Sequence, residues 1–279
     1  MCCMGNETLK VMSFNMKHDT FSHGKNSWSK RAILVERVIR QNSPDIIGTQ
    51  ELTAACLADI HLLLPEYSYV GEGRGGGTNG EFSAIFFRTD RFSLLSEETF
   101  WLSRTPFEPS RAWFALFPRI CTTCRLQSKD SGAVFQIYNT HLDHISYLAR
   151  VNGLKLIVTR IMERQKTDGQ IPVVLMGDFN ATPNSKTLRS WQKALLGTEQ
   201  WAPTNSSYNM LTQSTTGDFG RSYHGFKGTV SGNPIDYIFT SKDIALRAVE
   251  IRHDNFSSRF PSDHYPVIAE LELTSPQTR

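Results

Sequence analysis

The chain has 279 residues, 39% apolar and 20% charged, with 19 glycines and 12 prolines, a composition that excludes a disordered or fibrous protein. Thirty Lys and Arg against 27 Asp and Glu leave a formal net charge of +3, too small an excess to indicate a dedicated polyanion-binding surface, so nucleic acid is permitted rather than indicated. Apolar runs continue from residue 9 to residue 273 with no repeat or linker, and the simpler expectation is one domain over 9–275 behind a disordered tail at 1–8.

The opening MCCMGNETLK lacks an apolar stretch of signal-peptide length, and nothing later approaches the roughly 18 apolar residues of a membrane span. A cytoplasmic protein without a membrane partner is expected. Cysteines at 2, 3, 56, 121 and 124 are odd in number and suit reduced thiols; Cys121 and Cys124 have CxxC spacing but lie in a β-prone run, ICTTCRL, so a redox or zinc role is the minor reading. The sequons at Asn6, Asn205 and Asn255 carry no weight without a secretory signal.

In chain order, LKVMSFN (9–15) reads as a strand and SKRAILVERVIRQN (29–42) as a helix, with Ile33, Leu34, Val38 and Ile39 at helical spacing before a Ser43-Pro44 stop. DIIGTQ (45–50) is a second strand and LTAACLADIHLLL a second helix. SYVGEG, EFSAIFFR, FSLLSEETFWL, ICTTCRL and AVFQIYNTHLD then read as successive strands with turn signals between them. A helix over 146–166, the strand IPVVLMG (171–177), a short helix near 185–196 and the strands PIDYIFT, ALRAVEIR and PVIAELEL complete the chain. Helices interleaved with strands around a strand-rich middle suggest an α/β fold of two mixed β-sheets packed face to face with helices outside.

Polar residues that look out of place collect at the carboxyl ends of these strands, where such sheets put their chemistry: Asn15, Glu51, His141, Asp178, Asn180, Asp236 and the pair Asp263-His264. In Asp178-Phe179-Asn180 an extended backbone would point the carboxylate and the amide one way and Phe179 the other. That pair can hold a water and take its proton, while an Asx turn explains GDFN equally well. Taken singly, Glu51 is better explained as a helix N-terminal carboxylate, Asn15 as a turn residue and Asp263-His264 as a local hydrogen bond. Taken together, Glu51, Asp263 and Asn15 offer oxygen ligands for magnesium, and two histidines with a general-base carboxylate beside such an ion describe phosphoryl-transfer hydrolysis.

These segments, VMSFN, PDIIGTQE, GEFSAIFFR, YNTHLD, VVLMGDFN, IDYIF and SDHYPV, resemble in order those of the endonuclease/exonuclease/phosphatase superfamily, the metal-dependent, DNase I-like phosphoesterases, over nearly the whole chain. The resemblance implies a four-layered α/β sandwich with the site at one edge. It implies Glu51 as the main metal ligand, helped by Asn15 and Asp263, with Mg2+ as the cofactor and Mn2+ as a substitute. Asp178 would orient or deprotonate the attacking water, Asn180 would hold that water or a phosphate oxygen, and His264, oriented by Asp236, would contact the scissile phosphate; whether Asp178 or His264 is the base stays open. His141, with Glu81 as its partner, would protonate the leaving oxygen or bind phosphate. Gly73-Arg74, Gly80-Glu81, Phe100-Trp101-Leu102, Asp143-His144 and Tyr223-His224-Gly225 resemble a bacterial branch that includes phosphatases of phosphorylated sugars such as maltose 6'-phosphate.

Around that centre, Arg74 opens GRGGGTNG, a loop that is either a ligand cradle or a flexible surface turn, and its planar guanidinium suits a phosphate oxygen or a sugar hydroxyl. Trp101 and Trp113 can stack on a sugar, although core packing is the commoner role; His144 and His224 are expected at the rim, and His18, His23, His61 and His253 are assigned to the surface or to local structure. A phosphomonoesterase acting on a small phosphorylated metabolite, a sugar phosphate, is the leading expectation. A nuclease would need Lys17, Lys25, Lys30, Arg74, Arg111 and Arg150 to converge into a basic track, and a catalytically silent binding module is disfavoured because each expected catalytic position is filled. No oligomeric state is indicated.

Overall fold

The computed structural model describes residues 7–18, 24–195 and 220–273. A six-stranded sheet has the order β10(Ile244–Ile251), β11(Val267–Leu273), β1(Glu7–Asn15), β2(Ile46–Gln50), β4(Ile85–Arg88), β3(Tyr67–Val70). A five-stranded sheet has the order β5(Phe92–Trp101), β6(Ile120–Ser128), β7(Val134–His141), β8(Val173–Asp178), β9(Asp236–Thr240). Each sheet is mixed: β1 and β2 are parallel, as are β7 and β8, and the remaining pairs are antiparallel. The helices are α1(Trp28–Asn42), α2(Ala54–Leu63), α3(Tyr147–Asp168) and α4(Lys186–Leu195).

Burial on both strand faces makes the layers. Along β1, Leu9 and Val11 enter a core shared with Val174 and Met176 of β8, while Met12 and Phe14 turn to Val35, Val38 and Ile39 of α1 and Ile60 of α2. Along β8 the opposite face, Val173 and Leu175, meets Ile157 and Ile161 of α3 and Leu188 of α4. Three cores therefore separate four layers, helices–sheet–sheet–helices. Two-sided burial is why these central strands read as continuous apolar runs rather than alternating ones.

Some expectations are corrected in detail. β1 begins at Glu7, so two residues assigned to the tail are paired strand; residues 1–6, with Cys2, Cys3 and Asn6, lie outside the described residues, as do His23 and Asn205. Ile33, counted toward the apolar stripe of α1, is 55% exposed, and Val35 takes its place. Cys121 and Cys124 are three apart on a strand and so face opposite ways, Cys121 into the α3 core and Cys124 between the sheets, which removes the CxxC reading. No helix among the described residues is long and apolar enough to cross a membrane.

Candidate active site

Register brings the polar residues together. His141, Asp178 and Asp236 occupy one rung across β7, β8 and β9, and Asn15 pairs with Gln50, next to Glu51, across β1 and β2. Asp236 opens its strand rather than ending it, and Asp263-His264 lead into β11. Because β9 and β11 run antiparallel to β8 and β1, their starts lie at the same edge as the other strands' ends.

The backbone turns sharply just past that edge. Glu51 (φ 65°) and Lys17 (φ 57°) are left-handed, an uncommon state for residues of this size. Helix α2 does not use Glu51 as its N-terminal carboxylate; Thr53 caps it by accepting from the Cys56 N–H, so Glu51 faces the site. Asn180 is also left-handed (φ 46°), so the extended GDFN geometry expected from sequence stops at Asp178. Asp178 Oδ1 accepts from the Asn180 N–H at 2.9 Å as in an Asx turn, while Phe179 packs on Tyr237 and Phe239 and Oδ2 is left within 3.6 and 3.8 Å of His141 Nε2 and His264 Nε2.

Two buried clusters meet at Asp178. On one side Asn15 Nδ2 donates to Asp178 Oδ2 and to Glu51 Oε1, each at 3.0 Å, and Asn15 Oδ1 accepts from the Lys17 N–H at 3.1 Å. Asn15, expected as an oxygen ligand, thus presents its nitrogen to the carboxylates and acts here as a positioning residue. On the other side His264 Nδ1–H donates to Asp236 Oδ2 at 2.9 Å, and His264 Nε2 lies 3.8 Å from Asp178 Oδ2. Asp178, Asp236 and His264 also form a close group of potential ligand atoms, within which His264 is hydrogen-bonded to Asp236.

Burial and neighbouring charge set the protonation states. Burial and the adjacent Asp236 raise Asp178 to about 7. Burial opposes the charge on His264, yet Asp236 and Asp178 lift its imidazolium to about 10. His141 is pushed well below the usual imidazole range by burial and by Arg119, and its Nε2 accepts from Asn180 Nδ2 at 3.0 Å. Burial likewise opposes ionisation of Glu51, but the charge of Lys17 and the Asn15 amide hold its carboxyl below the ordinary range.

For a metal ion the donors fit. Lys17 Nζ lies 3.2 Å from Glu51 Oε2 and 3.9 Å from Asp263 Oδ2, so one positive centre already sits within reach of both carboxylates, the hard oxygen donors magnesium prefers. Arg31, fully buried, donates to the backbone oxygens of Met16, Lys17 and Pro261 at 2.8 Å each, tying the loop after β1 to the loop carrying Asp263.

A cavity of about 360 Å³ opens over this edge, lined by Glu51, His141, Asp178, Asn180, Asp263 and His264, and on its outer side by Arg74, Glu81, Phe117, Arg119, His144 and Tyr223. Glu81, which lines the cavity together with His141, forms a two-pronged ion pair with Arg74 at 2.8 and 2.9 Å, the planar fork matching the carboxylate. Trp101 and Trp113 are not among the lining residues: Trp101 is buried, its indole N–H on the Arg74 carbonyl, and half-exposed Phe117 and Tyr223 hold the aromatic positions. His224, expected at the rim, is buried and stacked on Tyr265 at 3.9 Å, whereas His18, assigned to the surface, lies 3.6 Å from Glu51. Arg119 and Phe117 went unrecognised as site residues, and Lys17 was weighed only as part of a nuclease's basic track; a polar or aromatic residue in a loop carries no periodic signal of where it points.

Comparison with known proteins agrees with this geometry. The chain matches the Endonuclease/Exonuclease/phosphatase family over residues 12–264. A family protein from Bacteroides thetaiotaomicron superposes with a TM-score of 0.87 at 29% identity, covering 99% of this chain and 98% of that one. A mannosyl-6-phosphatase from the same organism superposes with a TM-score of 0.83 at 30% identity, covering 94% and 99%. Mouse Nocturnin is 24% identical over 297 residues, 95% of this chain and 64% of that protein, so the chain spans somewhat under two thirds of that relative. With the matched segment running from β1 to His264, the chain belongs to the endonuclease/exonuclease/phosphatase family, whose members are phosphoester hydrolases.

Proposed function

We propose that this protein is a cytoplasmic, magnesium-dependent phosphomonoesterase that releases phosphate from a small phosphorylated metabolite, a sugar phosphate such as maltose 6'-phosphate or a hexose 6-phosphate. The observation that carries the reading is the single buried rung His141–Asp178–Asp236, joined through Asn15 to Glu51 and closed by His264, at the floor of a concave cavity. Similarity to the mannosyl-6-phosphatase supports a sugar ester as the substrate. The buried thiols Cys121 and Cys124, turned to opposite faces of β6, suit a reducing compartment.

Glu51 and Asp263 would hold the ion, with Asn15 and Arg31 fixing their geometry. Bound there, magnesium supplies Lewis-acid polarisation of the phosphoryl oxygens. Asp178 Oδ2, free of the Asx turn and aimed between the two histidines, takes the proton of the attacking water; its pKa near 7 suits a base at neutral pH. His264, held protonated between Asp236 and Asp178, places a positive N–H donor against the charge that grows on the transferring phosphoryl group. His141, kept neutral, is a neighbour of the phosphate oxygens rather than a stored acid.

The nuclease reading is weaker on this surface. Of Lys17, Lys25, Lys30, Arg74, Arg111 and Arg150, only Lys17 and Arg74 line the cavity, and Arg74 is paired with Glu81, so no basic track forms from this set. The test is phosphate release by the purified protein with magnesium across sugar phosphates, inositol phosphates and nucleotides, beside cleavage of single- and double-stranded DNA and RNA, with Asp178→Asn as control. Selective release from a sugar ester is the expected result. Strand cleavage without monoester turnover would replace this reading with the nuclease.

A further inference from the structure

The outer side of the cavity has a composition of its own. Arg74 carries the two-pronged pair with Glu81, and its guanidinium carbon lies 4.6 Å from the centre of the Phe117 ring. Arg119, 5% exposed, reaches Asp143 with Nε at 3.5 Å and meets His144 Nδ1 with Nη2 at 2.8 Å. A guanidinium only donates, so His144 Nδ1 accepts, and the ring's single proton sits on Nε2. Asp143 Oδ1 is itself fixed by the N–H groups of Ile145 and Ser146 at 2.9 and 2.6 Å. Phe117, which lines the cavity, is 42% exposed.

Charge decides what such a wall accepts. Each guanidinium lining it has its own carboxylate, Arg74 with Glu81 and Arg119 with Asp143. A second phosphate or a nucleic-acid backbone needs uncompensated cations, and among the described residues this wall offers none. Neutral Arg–carboxylate pairs, an imidazole with a fixed donor and a half-exposed ring instead offer donors, acceptors and an apolar face together, which is what a polyol ring presents in return.

Resting on the phosphomonoesterase reading above, we propose that Arg74–Glu81, Arg119–Asp143–His144 and Phe117 form a leaving-group subsite for an uncharged sugar ring. In this subsite Phe117 packs on the ring face, the Arg74–Glu81 pair and His144 Nε2–H read its hydroxyls, and Arg119 is a positioning residue that sets the His144 tautomer. The preferred substrate is then a monophosphate whose alcohol carries no second charge.

The experiment compares kcat/KM for a hexose 6-phosphate, the corresponding hexose 1,6-bisphosphate and ethyl phosphate, whose leaving group is too small to reach the wall, in wild type, Phe117→Ala and Arg119→Lys. The wild type should prefer the hexose 6-phosphate over the bisphosphate. In Phe117→Ala the ratio of hexose 6-phosphate to ethyl phosphate kcat/KM should fall about tenfold, mostly through KM, and the free hexose should lose its competitive inhibition. Arg119→Lys, which keeps the charge but not the fork, should lower the same ratio. Equal losses on both monoesters, or none, in a wild type that does hydrolyse the hexose ester would overturn the subsite alone. A wild type that turns over ethyl phosphate or nucleotides but no sugar ester would overturn the sugar reading itself. Phe117 is a surface side chain, so its variant stays informative even where Arg119→Lys, altered at a buried position, fails to fold.

Discussion

Asp178 is asked to be buried, charged and next to another carboxylate, and the cost of this falls on stability. With the ion chelated, its ionised form is opposed by burial and by Asp236, which is the reason its pKa stands near 7 rather than 3.8. Asp178→Asn keeps the shape and the Asx acceptor while removing the charge. We therefore expect it to lose about three orders of magnitude in kcat/KM and yet to melt a few degrees higher than wild type at pH 8 in chelator, read by circular dichroism. His264→Ala should lose activity to a similar degree without that gain. A second residue reports on acid stability. His224, stacked on Tyr265 and 4.8 Å from Phe260, is lowered to about 4 by burial and by its histidine neighbours, from an ordinary 6.5. A depressed folded value means that its contribution is present above about 6.5 and is lost as pH falls through that value toward about 4. In His224→Phe, which keeps the stacked ring, urea midpoints measured from pH 7 to pH 4 should decline less steeply than in wild type; an unchanged slope would remove His224 from the acid response.

At the scale of the element, the site depends on how closely strands approach just before they end. Gly177, the last residue before Asp178, has φ 146°, and a β-carbon there would stand 1.9 Å from the Thr140 carbonyl oxygen of the paired strand β7. Relief requires β7 and β8 to separate at the rung that aligns His141 with Asp178. Gly177→Ala should destabilise by about 3 kcal/mol or more and, where enough folds to assay, reduce kcat more than it changes KM. The strands themselves were legible in the sequence because burial on both faces leaves long apolar runs, and their polar last residues stood out against that background. The left-handed turns at Lys17, Glu51 and Asn180 were not, because none is a glycine and no pattern announces a strained φ. Those turns aim the side chains, so Glu51 was legible as a candidate while its neighbours Lys17 and His18 were assigned elsewhere. Phe117 and Arg119 lie in the loop between β5 and β6, where composition shows only that the chain is irregular.

At the scale of the molecule, the site is a joint between the two sheets. Glu51 and Asn15 come from the six-stranded sheet, Asp178, His141 and Asp236 from the five-stranded sheet, and Asp263-His264 from the loop that returns to the first. A family resemblance in sequence order could name these residues, but only the packing of one sheet on the other shows that Asn15 bridges them. Where carboxylates from both sheets meet, mutual repulsion works against the face-to-face core, and a cation held by Glu51 and Asp263 relieves it. Magnesium that binds the folded chain and not the unfolded one should stabilise by about 2.7 kcal/mol at a hundredfold excess over its dissociation constant. For a chain of this size that corresponds to a rise in melting temperature of roughly 5 °C. Glu51→Gln removes the charge that attracts the ion while keeping the side-chain shape, so its melting temperature should be the same with magnesium as with chelator. Asp236→Asn, which leaves Glu51 and Asp263 in place, should keep most of the shift. If Glu51→Gln retained the full shift, the ion would be held by other residues, and the Asp178–Asp236–His264 group would become the first place to look.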